Sequence, residues 1–251
     1  MSTVAIVSDI HANLEACTAV LEHIRSQGIR EIICLGDVIG YGPNPRECLE
    51  LAYDFEFCLM GNHEEAVLFY AEDFNEKARR AIEWTKERLN SGEYDKERNF
   101  RLWNFLDGME RSRVRAGVLM VHGSPRNPTK EYLLPQDVRS PEKLQSVFST
   151  MKQDLCFCGH SHVPGVFTED LEYRAVHKDT GEFEPDGRKT IVNIGSVGQP
   201  RDGDVRACYV TYDGTRVRYF RVEYDYRKTM EKIRKIDSLP GFLADRLARG
   251  R

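Results

Sequence analysis

Five short apolar runs in this sequence are typical of buried β-strands, and a side chain that can bind a metal ion follows each of them within two residues. The runs span residues 4–7, 32–35, 57–60, 118–121 and 155–158, and the side chains that follow them are Asp9, Asp37, Asn62, His122 and His160. Ligand sites in open α/β sheets form just beyond the carboxyl ends of the strands. We therefore expect these five side chains to converge on one cleft.

The first 63 residues alternate strand-like and helix-like patterns, which favours parallel strands in an α/β fold. Residues 14–24 repeat apolar side chains at helical spacing before Gly28, and a second helix is expected over residues 46–52. Residues 64–107 are expected to be helical, either as a cap over the cleft or as ordinary packing helices. A further helix is expected over residues 142–151.

Beyond residue 163 the pattern changes to strands and turns, up to about residue 223. Asp213-Gly214 indicates a hairpin between the runs 209–212 and 217–222. The last helix is expected to be basic and to span residues 226–236. Because no linker separates two halves of the chain, we predict a single domain over residues 1–251.

The composition argues against several classes of partner. The formal net charge is −4, so no basic field attracts an extended nucleic acid, although a small phosphoester substrate is compatible with it. No apolar run approaches the roughly 20 residues that span a bilayer, and the N-terminal residues do not resemble a secretory signal. An odd count of seven cysteines in apolar stretches indicates reduced thiols in a cytoplasmic protein, with Cys156 and Cys158 packed in a buried strand.

Five of the seven histidines lie at or beside the expected strand ends. Among them, His11, His63 and His162 lie within two residues of the side chains named above. A single Asp-x-His turn is more often a helix cap than a metal site, and a single buried histidine more often belongs to a core. The ordered occurrence of all these motifs is what indicates a metal centre. His23 and His177 lie outside the pattern and are expected to be ordinary surface residues.

The order of these motifs resembles that of the calcineurin-like metallophosphoesterases, in particular their small bacterial phosphodiesterase-type members. The blocks of that family are Asp-x-His, Gly-Asp, Gly-Asn-His-Asp/Glu, a lone His and Gly-His-x-His. The matching residues are 9–11, 36–37, 61–64, 122 and 159–162, and the stretch 193–198 is also similar. The resemblance implies a two-sheet β-sandwich flanked by helices, in four α-β-β-α layers, and a metal-dependent phosphoric ester hydrolase.

The resemblance also implies a role for each site residue. Two divalent ions would each take three ligands of their own: Asp9, His11 and His162 for one, and Asn62, His122 and His160 for the other. Asp37 would bridge the two ions, and His63 would be the catalytic residue that assists the leaving group. A bridging carboxylate holds such ions about 4 Å apart, and the hydroxide between them would attack phosphorus in line. Mixed oxygen and imidazole ligands favour transition metals, with Mn first and Fe, Zn, Ni or Co as alternatives.

One departure from the family pattern bears on the substrate. Protein Ser/Thr phosphatases of the superfamily carry a phosphate-gripping arginine after the Gly-Asp block, whereas residues 36–42 of this chain contain none. Binding a doubly charged monoester usually takes a fixed cation, so we expect small phosphodiesters to be preferred. Candidate substrate contacts are Asn13, Tyr41 and Arg201, with Arg46 and Arg126 as further arginines that can swing in from other loops.

Two other interpretations stay open at the level of the sequence. The same site can act on phosphomonoesters, phosphoproteins or dinucleoside polyphosphates. A non-catalytic scaffold on the same fold is the alternative of another class. Such scaffolds typically lose metal ligands or the assisting histidine, and this chain has lost none of them.

Overall fold

The structure, a computed structural model, describes residues 2–71, 74–176 and 181–251. Its strands form two six-stranded sheets. In chain order the strands are β1 (Val4–Val7), β2 (Glu31–Cys34), β3 (Phe57–Cys58), β4 (Ser112–Arg115), β5 (Val118–Val121), β6 (Leu155–Cys158), β7 (Gly165–Thr168), β8 (Tyr173–Ala175), β9 (Gly181–Phe183), β10 (Thr190–Asn193), β11 (Ala207–Tyr212) and β12 (Val217–Val222). The helices are α1 (Leu14–Ser26), α2 (Pro45–Ala52), α3 (Asn62–Leu68), α4 (Glu76–Leu89), α5 (Lys96–Asp107), α6 (Pro141–Ser149), α7 (Tyr226–Arg234) and α8 (Phe242–Leu247), and a short 3-10 helix spans Pro135–Arg139.

Each sheet contains a group of parallel strands that determines where the site lies. The first sheet has the order β3-β2-β1-β11-β12-β9, and β1, β2 and β3 run parallel in it. The second has the order β4-β5-β6-β10-β7-β8, and β5, β6 and β10 run parallel. Parallel neighbours bring their carboxyl ends to one edge of a sheet. Three of the five predicted strand-end side chains therefore belong to the first sheet, and two belong to the second.

Apolar side chains fill the spaces between four layers. Ile6 and Phe157 pack between the two sheets, from the first and the second sheet respectively. Val7, the neighbour of Ile6, points to the opposite face of β1 and packs with Val20 of α1. Helix α6 covers the outer face of the second sheet through Phe148. Strands buried on both faces give continuous apolar runs, which explains why the central strands were visible in the sequence.

The secondary structure agrees with most of the expected elements and differs from the expectation at β3, at β4 and after α7. Strands β5 and β6 have the predicted bounds, whereas β3 ends two residues earlier than expected. Strand β4 was not predicted, because its exposed and half-buried residues carry no apolar run. The helix α7 is not the last one, since α8 follows it. The region 64–107 holds most of three helices, which pack through residues such as Leu89 and Leu102.

The structure describes one of the two histidines outside the predicted motifs and all seven cysteines. His23 is half-buried and not an ordinary surface residue, since its Nδ1 atom lies 2.7 Å from the Tyr209 hydroxyl. His177 lies outside the described residues. All seven cysteines are buried and free of disulfide bonds. Across the described ranges, none of the helices has both the length and the apolar character needed to cross a membrane.

Candidate metal centre

Five of the seven predicted ligands have left-handed backbone conformations that residues other than glycine rarely adopt. The φ angles are 54° at Asp9, 48° at His11, 54° at Asp37, 65° at His160 and 59° at His162. Each such residue costs on the order of 1–3 kcal/mol and persists only where its surroundings hold it. Hydrogen bonds between the turns provide this support, because Asp9 N–H donates to Gly36 O at 3.0 Å and His11 N–H donates to Asp37 O at 2.9 Å.

Glycines precede several ligands because neighbouring turns approach each other there without room for a side chain. A Cβ atom on Gly61 would overlap the Oδ1 atom of Asp37, and one on Gly159 would overlap the carboxylate of Asp9. The glycines of these blocks are therefore required by the packing of one turn on the next.

Three side chains that are far apart in the sequence, Asp9, His11 and His162, form the first half of the cluster. His162 Nε2 lies 3.1 Å from His11 Nε2 and 3.1 Å from Asp9 Oδ1. The other ring nitrogens face backbone carbonyls: His11 Nδ1 donates to Ile39 O at 3.1 Å, and His162 Nδ1 donates to Gln199 O at 2.5 Å. Because a carbonyl can only accept, each Nδ1 carries the proton and each Nε2 presents a lone pair to the cluster.

The second half of the cluster is built in the same way from the other three ligands. His122 Nε2 lies 3.1 Å from Asn62 Oδ1 and 3.1 Å from His160 Nδ1. His160 Nε2 donates to Lys130 O at 3.1 Å, which leaves its Nδ1 atom as the lone-pair donor. The two halves thus contain preoriented imidazoles of opposite tautomers, His11 and His162 facing the cluster with Nε2 and His160 facing it with Nδ1.

Asp37 lies between the two halves. Its Oδ2 atom is 3.7 Å from His11 Nε2 and 3.3 Å from His122 Nε2, so one oxygen atom reaches a ligand of each half. Its Oδ1 atom accepts the backbone N–H of His63 at 2.9 Å. Asp9 is arranged similarly, with Oδ2 accepting the His160 N–H at 3.0 Å and Oδ1 facing the cluster. In both carboxylates, one oxygen is held by the backbone and the other is directed at the cluster.

Burial and neighbouring charges change the pKa values of the cluster strongly. Burial raises the pKa of Asp37, but the imidazoles of His122 and His63 outweigh burial and hold this pKa well below its usual value. Burial lowers the pKa of His160 to about 3 and that of His63 to about 4. Burial also lowers the pKa of His122, but the charge of Asp37 overrides burial and raises it to about 9. The negative charge of the carboxylates therefore favours positive charge in the cluster. Protons and metal cations compete for the same ligand atoms.

The donor atoms of the cluster fit divalent transition-metal ions. They comprise four imidazole nitrogens, two carboxylate oxygens and one amide oxygen, without a thiolate. Asp9 Oδ1 has no hydrogen-bond partner among the described residues, as expected of a buried atom that serves a cation. Ligand atoms within 4.8 Å of one another form three overlapping groups: Asp9, His11 and His162; His11, Asp37 and His63; and Asp37, His122 and His160.

Glu64 is a functional residue that the sequence analysis did not single out. Its buried carboxylate accepts three backbone N–H groups: Asp37 N at 2.8 Å and Gly61 N at 2.9 Å on Oε2, and Ile39 N at 3.1 Å on Oε1. One side chain thus ties the turn after β2 to the turn after β3. The signal for this role was its place three residues after Gly61 at the start of α3, where a carboxylate caps the helix.

The predicted substrate contacts lie in different places. Tyr41 packs against the rings of His11 and His63, with centroid distances of 4.7 and 4.3 Å. Asn13 instead caps α1, accepting the Ala16 N–H at 3.2 Å and donating to a backbone oxygen, so its role is structural. Arg201 lies beside Tyr41, with its Cζ atom 6.0 Å from the ring centroid.

The other two arginines do not reach the cleft. Arg46 is buried beneath the helices of residues 76–107, where its Nη1 donates to Leu89 O at 2.9 Å and to Asn99 Oδ1 at 2.7 Å. Arg126 pairs with Glu131 at the surface. Arg201 is therefore the one arginine of the three candidates that lies near the cluster.

A cleft of about 280 Å³ opens beside the second half of the cluster. Asn62 and His160 form its floor, and Tyr132 stacks on the His160 ring at a centroid distance of 3.7 Å. Phe74 and Ala78 also line the cleft, so the beginning of the region 74–89 borders the site, while Ile82 and Leu89 further along pack in the core.

Two facing sheets with carboxylate, amide and imidazole ligands at their shared edge define a metal-binding α/β sandwich protein. Residues 3–215 match the Calcineurin-like phosphoesterase superfamily domain. The chain therefore belongs to the calcineurin-like phosphoesterase superfamily. An uncharacterized protein of Methanocaldococcus jannaschii is 40% identical to it over 258 residues, covering 100% of this chain and 99% of the relative.

Solved structures of similar proteins share the whole fold. A metallophosphoesterase from Sphaerobacter thermophilus has a TM-score of 0.83 at 34% identity, covering 100% of this chain and 99% of that chain. A hypothetical protein from Pyrococcus horikoshii OT3 has a TM-score of 0.76 at 20% identity with the same coverage, which shows a shared fold alone. These findings confirm the predicted sandwich and the predicted family, and the family supports a phosphoesterase hydrolase that uses divalent metals.

Proposed function

We propose that the protein is a binuclear metal-dependent phosphoesterase that hydrolyses small phosphodiesters. The position of Asp37 Oδ2, within 3.7 Å of His11 Nε2 and 3.3 Å of His122 Nε2, is the observation that carries this proposal. A carboxylate that reaches both halves of a seven-ligand cluster suits two ions that share one ligand. The mixed oxygen and imidazole donors favour transition metals as a group, and the resemblance to the family makes Mn the metal we propose first, with Fe, Zn, Ni or Co as alternatives.

The residues of the chain have separate tasks in this reaction. Bound divalent ions would supply an activated water and neutralise the charge of the phosphoryl oxygens. The backbone-bonded rings of His11, His160 and His162 need no reorientation to bind, which lowers the cost of assembling the site. His63 lies at the edge of the cluster, in ring contact with His11 at 4.9 Å. A neutral His63 imidazole carries one N–H group that can donate a hydrogen bond to the departing oxygen, whereas transfer of a proton to that oxygen requires His63 to be protonated.

The diester preference rests on the loop after β2. Where protein Ser/Thr phosphatases of the superfamily place an arginine, this loop places Tyr41 against the rings of both His11 and His63. A tyrosine ring offers no fixed charge for the second negative charge of a monoester, so the singly charged ester is favoured. The seven buried thiols are consistent with a reducing compartment, and we place the protein in the cytoplasm as part of this proposal.

The test combines a metal count with paired substrates. Elemental analysis of Mn-loaded protein should find two ions per chain. The ratio kcat/KM should be higher for bis-p-nitrophenyl phosphate than for p-nitrophenyl phosphate at one pH. Thymidine 5′-(p-nitrophenyl phosphate) is the control, because the bis ester is intrinsically the easier diester to handle. A single ion would contradict the binuclear site, a monoester preference would contradict the substrate, and no turnover of any ester would favour a non-catalytic scaffold.

A further inference from the structure

Two arginines from separate segments lie next to the candidate metal centre without acidic partners. Arg201 lies on the loop between β10 and β11, and its backbone N–H donates to His162 O at 3.2 Å. Arg246 lies on α8, outside the residues that match the superfamily domain. Throughout the described part of the chain, neither guanidinium pairs with an aspartate or a glutamate. Half-buried arginines without carboxylate partners are favourable contacts for the negative charge of a ligand.

Tyr41 connects the two arginines to the cluster. On one side its ring contacts His11 and His63, and on the other it packs against the apolar cluster that contains Leu243 and Leu247 of α8. Its φ angle of 61° lies in the left-handed region, where a tyrosine is held only by its surroundings. Helix α8 is thus seated on the loop that borders the metal centre.

The end of the described chain fastens α8 to the Arg201 loop. Gly203 N–H donates to Gly250 O at 2.9 Å, which joins the segments that follow Arg201 and Arg246. Arg246 uses its Nε atom to donate to the backbone oxygen of Arg251 at 2.6 Å. Arg201 uses one Nη atom to donate to Gln199 Oε1 at 2.9 Å. These bonds position both guanidinium groups and leave further N–H donors on each.

Both guanidinium groups are partly withdrawn from water. The Nε atom of Arg201 is buried and has no hydrogen-bond partner among the described residues. Burial and the nearby charge of Arg201 lower the pKa of Arg246 to about 10, while Tyr41 and Tyr132 act in the opposite direction. A nearby like charge disfavours the charged form of each guanidinium, and an anion bound near both would offset this repulsion.

We propose that Arg201 and Arg246, flanked by Tyr41 and Tyr132, form a subsite for a second phosphate group of the substrate. This inference rests on the proposed phosphodiesterase function and specifies its substrate class: diesters that carry an additional phosphate, such as phosphorylated nucleotide esters. The scissile diester needs no arginine at the metal centre, whereas the remote phosphate carries the extra charge that the two guanidinium groups take up.

A substrate pair that differs by one phosphate tests the inference. Thymidine 5′-(p-nitrophenyl phosphate) is compared with its 3′-phosphorylated form in the Mn-loaded protein. In the wild type, kcat/KM should be about tenfold or more higher for the phosphorylated form than for the unphosphorylated form. The ratio of these two kcat/KM values should fall about tenfold in Arg201→Gln and in Arg246→Gln. Arg249→Gln is the matched control, since Arg249 is an exposed arginine three residues along from Arg246, and its ratio should stay at the wild-type value.

A binding measurement separates this inference from the proposed function. Chelator-treated protein cannot turn over an ester, so thymidine 3′,5′-bisphosphate is titrated into it by calorimetry. Binding should weaken at least fivefold in both glutamine variants, and Arg246→Lys should recover part of the loss because it keeps the charge. Thermal unfolding of each variant checks that the fold is intact.

The possible outcomes have distinct meanings. Weakened bisphosphate binding in the variants, together with no turnover by the wild type, would support the subsite and overturn the phosphodiesterase function. Diester turnover without a preference for the phosphorylated form, and unchanged binding in the variants, would overturn the subsite. An equal loss of kcat/KM for both esters in Arg246→Gln would also overturn it, because the arginine would then act on the shared phosphate.

Discussion

Glu64→Gln is the substitution that best tests how the metal centre is held together. The carboxylate of Glu64 accepts three backbone N–H groups, from Asp37, Ile39 and Gly61. Glutamine has the same shape but only one oxygen, and its NH₂ group can only donate. In either orientation of the glutamine amide, its NH₂ group points at one or two of these backbone N–H groups. The NH₂ group and the backbone N–H that it faces are then both buried donors without an acceptor.

The expected cost follows from these bonds. A buried polar group left unsatisfied costs about 1–3 kcal/mol, so the two donors together cost about 2–6 kcal/mol. For a chain of this length, 1 kcal/mol shifts the Tm by roughly 2–4 °C, so the Tm should fall by at least roughly 4 °C and by up to roughly 24 °C. Loosening the turn that presents Asp37 should also weaken metal binding by about 10–100-fold, which is the usual effect of removing support from a ligand.

The assay is thermal unfolding with and without Mn, together with a metal titration, at about pH 8. Burial and the charge of Asp37 raise the pKa of Glu64 to about 7, so the wild-type carboxyl is largely ionised at that pH. Glu65→Gln is the matched control, because Glu65 lies on the same helix and its carboxylate pairs with Arg111 at 3.0 Å near the surface. That pair should contribute less than about 1 kcal/mol. Wild-type Tm and metal affinity in Glu64→Gln would refute the reasoning.

Two further predictions concern the cluster itself. Asp37→Ala should abolish turnover more completely than alanine at Asp9 or His122, because Asp37 Oδ2 reaches both halves of the cluster. Turnover and metal content are measured for each variant in excess Mn. Near-normal turnover of Asp37→Ala would contradict this prediction. Chelator-treated protein should lose stability as the pH falls from about 7 to 5, since burial keeps His160 neutral in the fold, with a pKa lowered from 6.5 to about 3, while the unfolded chain takes up the proton. The Tm of His160→Gln should depend less on pH, and an unchanged slope would argue against this origin.

Local patterns were sufficient to locate the strand ends of this protein. The runs at β5 and β6 have the predicted bounds because both faces of those strands are buried, and an apolar run then stops where the chain leaves the sheet. Strand β4 was missed since it lies at the edge of its sheet, with arginines on its half-buried residues and an exposed Ser112 and Val114, so it forms no apolar run. The same rule therefore explains both the correct predictions and the omission.

The division of the strand ends between two sheets was not visible in the sequence. Strand β1 pairs with β11, joining Val4 to Tyr212 across more than 200 residues of chain, and no local signal specifies such a partner. His122 and His160 consequently face Asp37 from a second sheet rather than from the same one. The motifs implied a single cleft, but the geometry of that cleft depends on how the sheets pack.

The sequence by itself determined which side chains can bind metal and that they follow buried strands, because these properties are local. Tertiary structure decided which long side chains reach the site. Arg46 was a predicted candidate but is buried, with its Nη1 atom donating to Leu89 O. Arg246 was not a candidate, and it lies on a helix that packs against Tyr41. The physical reason is that an arginine extends several ångströms from its backbone, so its target depends on the packing of elements far apart in the chain.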